Sequence, residues 1–135
     1  MVYDPVLFND VTEILISLKI PPEMSGFDFL REAIIACFID PSYQNNVTTK
    51  LYPFLAESFD TNRMHIERNM RNAIEKAQIY KGLFALNEFC DMLVYTNEKS
   101  KYSNSEIIFI VVECLKIKNM KREFKKKLNE ERELV

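Results

Sequence analysis

Apolar residues recur along this sequence at the three- and four-residue spacing of amphipathic helices, without the strong alternation that marks strands. The clearest stripe lies between residues 61 and 80. Five side chains fall on one side of this predicted helix: Ile66, Met70, Ala73, Ile74 and Ala77. Thr61 precedes the run and is expected to be its N-cap. The stripe therefore predicts a helix with one buried side.

The opposite side of the same helix is polar and rich in groups that hydrogen-bond to bases and phosphates. It carries Met64, His65, Arg68, Arg71, Asn72 and Glu75, with Glu67 at its border. For a helix taken alone, a solvated outer side is the commoner explanation, because polar outer faces are the norm.

A second amphipathic helix precedes this one, since Leu51, Leu55 and Phe59 are spaced four residues apart. Pro53 is expected to kink that helix or to mark its true start, because proline lacks a backbone N–H. A short helix, a tight connection and a longer second helix are typical of a helix-turn-helix. Asp60 stands roughly where such turns usually have glycine.

Four further helices are predicted. The first spans residues 10–19 and begins with a capping box of Asp10 and Glu13; the second spans 27–39 after a turn at Gly26. Gly82 is expected to end the 61–80 helix near Lys81, and an apolar helix follows at 83–93. The last begins at a capping box of Ser103 and Glu106.

The expected fold is therefore an all-α, compact domain of about six helices that contains a helix-turn-helix. Nothing breaks the last helical pattern after residue 115. We expect residues 1–115 to form the domain and residues 116–135 to form an extended, basic C-terminal helix.

Several sequence blocks resemble a known family. LYPFLAESFDT (51–61) followed by IERNMRNAIEKA (66–77) is similar to the DNA-binding effector domain of the stage-zero sporulation response regulator A of spore-forming Firmicutes. IPPEMSGFDFLREAI (20–34) and SNSEII (103–108) resemble two more of its blocks in the same order. The family protein also carries a phosphorylatable receiver domain, which is absent from this sequence, so the chain is expected to be either an isolated fragment or a free-standing relative. In a free-standing relative, we expect activity to depend on expression, the C-terminal tail or a partner.

The resemblance implies that Glu67, Arg68 and Arg71 lie at the DNA surface. Arg68 points most directly away from the apolar stripe, so it is the first candidate to bind a guanine, and Arg71 is the second. Glu67 would accept a hydrogen bond from a base or orient a neighbouring arginine. His65 stands where the family usually has arginine, and is a further candidate base contact. The expected phosphate contacts are Arg63, Lys50 and Asn72.

The expected partner is double-stranded DNA. The resemblance also implies a contact between the loop at residues 95–102 and an RNA polymerase sigma factor. A homodimer, either head-to-tail or through the tail, is a further expectation. No cofactor is expected.

The charge is unevenly distributed along the chain. Residues 1–115 contain ten Lys or Arg and sixteen Asp or Glu, whereas residues 116–135 contain eight and four. DNA affinity must therefore come from a local patch rather than from the net charge of −2. In the tail, Ile117, Met120, Phe124 and Leu128 form a stripe among lysines. This tail could pack on the domain, pair with a second chain, bind phosphates, or remain a solvated, partly frayed helix.

The sequence contains little that indicates a metal site, an enzyme active site or a membrane span. Cys37, Cys90 and Cys114 have no CxxC spacing, and the single His65 cannot complete a metal site with them, so they are expected to be reduced core thiols. A Gly-rich phosphate loop and a Ser-His-Asp set are both missing, which argues against an enzyme. The longest apolar run is too short to span a bilayer, so a soluble, cytoplasmic protein is expected.

Two classes of function remain. The first is a sequence-specific transcription regulator, favoured by Glu67, Arg68 and Arg71 occurring together. The second is a protein-interaction module that antagonises a full-length regulator or RNA polymerase, with weak or no DNA binding. The excess of acidic residues in residues 1–115, and His65 in place of the family's usual arginine, favour that alternative.

Overall fold

The computed structural model describes residues 4–99 and 101–134, and within them the chain is all-α, as predicted. The helices are α1 (Pro5–Ser17), α2 (Ser25–Ile39), α3 (Pro41–Asn45), α4 (Tyr52–Ser58), α5 (Arg63–Ile79), α6 (Ala85–Cys90) and α7 (Asn104–Glu133). A π-helical turn, Val47–Leu51, leads into α4, and a 3₁₀ turn, Gly82–Phe84, leads into α6. Pro53 lies in the first turn of α4, so it marks the true start of that helix.

The core is organised around α2, which contacts α1, α4, α5 and α7. Its fully enclosed side chains include Leu30, Ala33 and Ile34. The first part of α7 closes the core from another side, through Ile107, Ile108, Val111, Val112 and Leu115. Removal of this apolar surface from water is the main driving force for the fold.

Gly26 lies inside α2, so our expectation that it forms the turn before the helix is wrong. A Cβ atom at this position would overlap the carbonyl oxygen of Asn69 and would lie 2.8 Å from the Cβ atom of Ala73. Both residues belong to α5. Glycine is therefore required here because the backbones of α2 and α5 touch.

The first helix begins earlier than predicted. Asp4 is the N-cap of α1, and its Oδ1 accepts a hydrogen bond from the backbone N–H of Val6 at 2.9 Å. Pro5 follows in the first turn, where its missing N–H costs nothing. The predicted capping box of Asp10 and Glu13 is wrong, since both residues lie within the helix.

The helix predicted at residues 83–93 is much shorter. Asp91 adopts a left-handed conformation with φ 52°, and α6 therefore ends at Cys90. Met92 and Leu93, which the predicted helix included, lie beyond the end of α6 and are 55% and 76% exposed. Asn87 fixes the following loop, because its Oδ1 accepts from the backbone N–H groups of residues 94 and 95.

Gly82 does not itself end α5. The helix ends at Ile79, and Lys81 adopts the left-handed conformation with φ 59°. A Cβ atom on Gly82 would overlap the carbonyl oxygen of Leu18, so this glycine allows the chain to pass close to the end of α1.

The last helix, α7, runs unbroken from Asn104 to Glu133. Its predicted capping box is confirmed: the Ser103 Oγ accepts from the Glu106 N–H at 3.2 Å, and Glu106 Oε1 accepts from the Ser103 N–H at 3.1 Å. Hydrogen bonds from Lys99 and from Ser103 hold the pKa of Glu106 below its usual value. Every described residue from 119 onward is exposed.

Two of the three cysteines form a disulfide. Cys90, at the end of α6, is bonded to Cys114 in the middle of α7, so our expectation of reduced thiols is wrong for this pair. Cys37 is free and buried. Burial, together with the charge of Asp40, raises the pKa of Cys37 to about 11, so its thiol stays protonated and unreactive at neutral pH.

We expect loss of the disulfide to destabilise the fold, because the bond closes a loop between residues 24 positions apart and so restricts the unfolded chain. Replacing Cys90→Ser together with Cys114→Ser should lower the free energy of unfolding by about 3 kcal/mol, measured by urea denaturation. Adding a thiol reductant should destabilise the wild type and leave the double variant unchanged. Equal midpoints for wild type and variant without reductant would show that the bond does not form in solution.

Candidate nucleic-acid interface

A tight turn at residues 59–62 joins α4 to α5. The N–H of Thr61 donates to the carbonyl of Ala56 at 2.8 Å, and the N–H of Asp60 donates to the carbonyl of Glu57 at 3.3 Å. These two bonds form a Schellman motif, which requires a left-handed residue after the helix. Asp60 supplies it with φ 53°, because aspartate tolerates this conformation better than most residues. The turn therefore closes without glycine.

The residue after this turn caps α5. Asn62 is extended, and its Oδ1 accepts from the backbone N–H of His65 at 2.9 Å. The expectation that Thr61 is the N-cap is wrong, because α5 begins at Arg63 and the residue directly before it is Asn62, while Thr61 belongs to the preceding turn. Capping by Asn62 fixes where the first turn of α5 begins.

The buried side of α5 matches the predicted stripe. Each of its five members is at most 2% exposed: Ile66, Met70, Ala73, Ile74 and Ala77. This side packs chiefly against α2, with α4 along its flank. Since the inner side is fixed, the outer side of α5 is held in one orientation toward solvent.

The outer side of α5 presents a set of polar residues, here called the α5 ridge: His65, Glu67, Arg68, Arg71 and Asn72. Arg68 is exposed and forms no hydrogen bond or ion pair with any described residue. Arg71 and Glu67 form an ion pair one turn apart, with side chains 39% and 44% exposed. The ridge therefore combines one free guanidinium with one that is held by a carboxylate.

Neighbouring residues restrict His65. The side-chain amide of Asn69 donates to the His65 carbonyl at 2.8 Å and lies 3.2 Å from the ring Nδ1. On its other side the imidazole contacts the ring of Phe29 edge-on, with centroids 5.7 Å apart. The histidine ring is thus positioned on the first turn of the ridge.

The candidate phosphate contacts lie on two different elements. Arg63 and Asn72 are exposed on α5 and have no side-chain partner among the described residues. Lys50 lies on the π-helical turn, where its ammonium donates to Ser42 and lies 3.6 Å from a carboxylate oxygen of Asp40. The structure brings six of the seven candidates together on α5 and leaves Lys50 apart, in a local network.

One residue that supports the ridge gave no sequence signal. Asn104, the first residue of α7, is 8% exposed, and its Nδ2 donates to the Tyr52 hydroxyl and to the Glu67 carbonyl, both at 3.1 Å. It therefore links α4, α5 and α7 at a single point. Burial raises the pKa of Tyr52, although the bond from Asn104 opposes this effect, so the phenol remains protonated at neutral pH.

A shallow groove runs beside the ridge, between α5 and the start of α7. Arg71 and Lys101 line it together with Ser105. Lys101 adds a positive charge that lies outside α5, and periodicity along α5 could not have found it. Within residues 4–99 and 101–134, no cluster of three or more His, Cys, Asp or Glu residues is arranged to hold a metal ion. In the same part of the chain, no helix is long and apolar enough to cross a bilayer.

A protein-family model described as "Sporulation initiation factor Spo0A C terminal" matches residues 11–115. The matched segment contains α2, α4, all of α5 and the buried first part of α7. It stops close to the point at which α7 becomes exposed.

We expect Asn104→Ala to weaken the support of the ridge, because the hydrogen bonds that the Asn104 amide donates to the buried Tyr52 hydroxyl and to the part-buried Glu67 carbonyl would be lost. The free energy of unfolding should fall by about 1–3 kcal/mol, measured by chemical denaturation. Asn129→Ala, at an exposed position of the same helix, is the matched control and should change it by less than about 0.5 kcal/mol. Equal effects for the two variants would contradict the role given to Asn104.

Proposed function

The chain belongs to the sporulation initiation factor Spo0A C-terminal family, a family of DNA-binding effector domains, and on that premise we propose that it is a sequence-specific transcription regulator. In this proposal α4 and α5 act as a helix-turn-helix, and the N-terminal half of α5 enters the major groove. The free guanidinium of Arg68 on the exposed ridge is the observation that carries the proposal.

Arg68 suits direct reading of a base for a physical reason. A guanidinium presents a planar fork of donors that matches O6 and N7 of guanine, and this pairing is the commonest specific contact in the major groove. An arginine already held in an internal ion pair would have to break that pair first. Because Arg68 has no partner among the described residues, its donors are available at no such cost.

Arg71 and Glu67 are proposed to act as a unit. Glu67 holds the Arg71 guanidinium by an ion pair, and the Glu67 backbone is itself held by Asn104. Preorganisation of this kind lowers the entropy lost when an arginine binds a base or a phosphate. We therefore propose that Glu67 chiefly orients Arg71. Its second role is to accept a hydrogen bond from the amino group of a cytosine. His65, fixed by Asn69, is assigned to a base edge at the start of the helix.

Phosphate contacts would position the domain on the duplex without reading sequence. Arg63 and Asn72 suit this role, because both are exposed and unpartnered among the described residues of α5. The role of Lys50 stays a prediction, and it requires the ammonium to leave Asp40 and Ser42. With few phosphate contacts and an acidic body, binding should depend only modestly on salt.

Two further partners stay predictions. A sigma factor would contact the loop at residues 95–102, where Lys99 is paired with Glu106 and the Tyr102 hydroxyl contacts the backbone of Thr96. A homodimer is considered in the next subsection. As a DNA-binding regulator, the protein would act in the cytoplasm, and no catalytic role is proposed for it.

The alternative function is an interaction module that antagonises a full-length regulator or RNA polymerase. Such a module has no need for an unpaired arginine on an exposed helix that a buried asparagine holds in place. The ridge therefore supports DNA binding over this alternative.

Arg68→Ala should remove sequence reading at one base pair. We expect specific binding to weaken by about 1–3 kcal/mol, measured by fluorescence anisotropy on a duplex selected from a random pool. Binding to unselected duplex should change much less, since the lost contact is to a base.

Two control variants separate base reading from loss of charge. Arg63→Ala should weaken binding to selected and unselected duplexes about equally, as expected for a phosphate contact. Arg132→Ala, which removes a positive charge at an exposed position far along α7, should leave both affinities nearly unchanged. If Arg68→Ala binds the selected duplex as tightly as wild type, or if wild type binds no duplex at low salt, the groove assignment is wrong.

A further inference from the structure

We propose that the exposed part of α7 binds a second copy of this chain, side by side and antiparallel. The contact surface is the α7 stripe, defined as Ile117, Met120, Phe124 and Leu128. This assembly is independent of the DNA contacts proposed above, since the stripe and the α5 ridge share no residue.

Three members of the α7 stripe are uncovered in a single chain, whereas Ile117, at its start, is half-buried against the core. Met120 and Phe124 are 66% and 63% exposed, and Leu128 is 38% exposed. They recur every four residues on one side of a continuous helix, so they face the same direction. Exposed apolar residues that are grouped in this way, rather than scattered, indicate an interaction surface.

The other side of this part of α7 is already engaged with the body. Arg122 pairs with both carboxylate oxygens of Asp10 at 3.1 and 3.3 Å, and Lys118 lies 3.3 Å from Asp10 and 3.6 Å from Glu13. Lys121, at the border of the α7 stripe, pairs with Asp91. These contacts fix the rotation of the helix and leave Met120, Phe124 and Leu128 exposed to solvent.

The charge along the helix favours a second copy over other occupants. Residues 116–127 contain seven Lys or Arg and one Glu, whereas residues 128–134 contain three Glu and one Arg. In an antiparallel pair that crosses at Phe124, Glu130, Glu131 and Glu133 of each helix lie beside the basic start of the other, whereas the five basic residues within 121–127 lie near those of the partner; a parallel pair would place like charges together along its whole length. Residues 116–135 carry a net charge of +4, so binding to DNA phosphates or to an anionic membrane is the competing outcome that the experiments below distinguish.

The apolar residues also match in this arrangement. If two helices cross at Phe124, then Met120 of each copy lies beside Leu128 of the other, because both residues are four positions from the crossing point. Such a contact is isologous and closes on itself as a two-fold dimer.

Sedimentation equilibrium of the full chain without DNA tests this proposal. Wild type should form a dimer, and Phe124→Ser should raise the dimer dissociation constant at least about tenfold, because a central aromatic anchor would be lost. Asn129→Ser, at an exposed position on a different side of the same helix, should leave the constant unchanged. Circular dichroism should show equal helix content in both variants.

Cross-linking tests the antiparallel direction. The native thiols do not interfere, since Cys37 is buried and the other two cysteines are bonded to each other. A mixture of Met120→Cys chains and Leu128→Cys chains should give mainly the mixed product with a short bis-maleimide. Self-linked Met120→Cys chains as the main product would overturn the proposed direction.

Three results would overturn the proposal as a whole. The first is a wild-type chain that stays monomeric at the highest concentration measured, and the second is equal association of wild type and Phe124→Ser. The third is a monomeric wild type that binds anionic vesicles or unselected duplex, with this binding lost in Phe124→Ser. Arg68→Ala should dimerise as wild type does, so failure of the DNA-binding proposal and failure of this one can be told apart.

Discussion

The close packing of α2 against the inner side of α5 is the constraint on which the rest of the structure depends. At Gly26 the two backbones are in contact, and any side chain there would overlap the Asn69 carbonyl. Because α5 cannot rotate or move away, its outer residues occupy fixed positions. Asn104 adds a second point of attachment, where α7 holds the same helix through the Glu67 carbonyl. The backbone that carries the ridge is held in place because its support is buried, although the ridge side chains are exposed.

Local patterns predicted the parts of the fold that depend on neighbouring residues. The stripe of α5 and the capping box at Ser103 were found because both are set within a few positions. The start of α1 was missed because Asp10 and Glu13 also fit a capping pattern, whereas in the fold they face α7 across more than a hundred residues. The disulfide was missed for the same reason, since spacing alone cannot show that α6 and α7 are adjacent.

The candidate site was predicted to a similar extent. The spacing of apolar residues in α5 predicted that Arg68 and Arg71 lie on its outer side, because the direction of a side chain on a helix follows from helix geometry alone. It could not show that Arg68 is unpaired while Lys50 is held by Asp40, since the partners of a side chain depend on how other elements pack around it and not on the periodicity of its own helix. Asn104 could not be recognised at all, because a buried asparagine at the start of a helix looks like an ordinary polar residue of a capping segment.

The continuity of α7 has a consequence for how this protein could evolve. A helix turns by about 100° per residue, so inserting a single residue after Leu115 would rotate everything beyond it by that amount around the body. Arg122 would then no longer face Asp10, and the apolar stripe would point in another direction. Insertions or deletions in this segment should therefore be tolerated in steps of about seven residues, rather than singly. Seven residues are close to two whole turns, so they leave the direction of the later side chains nearly unchanged.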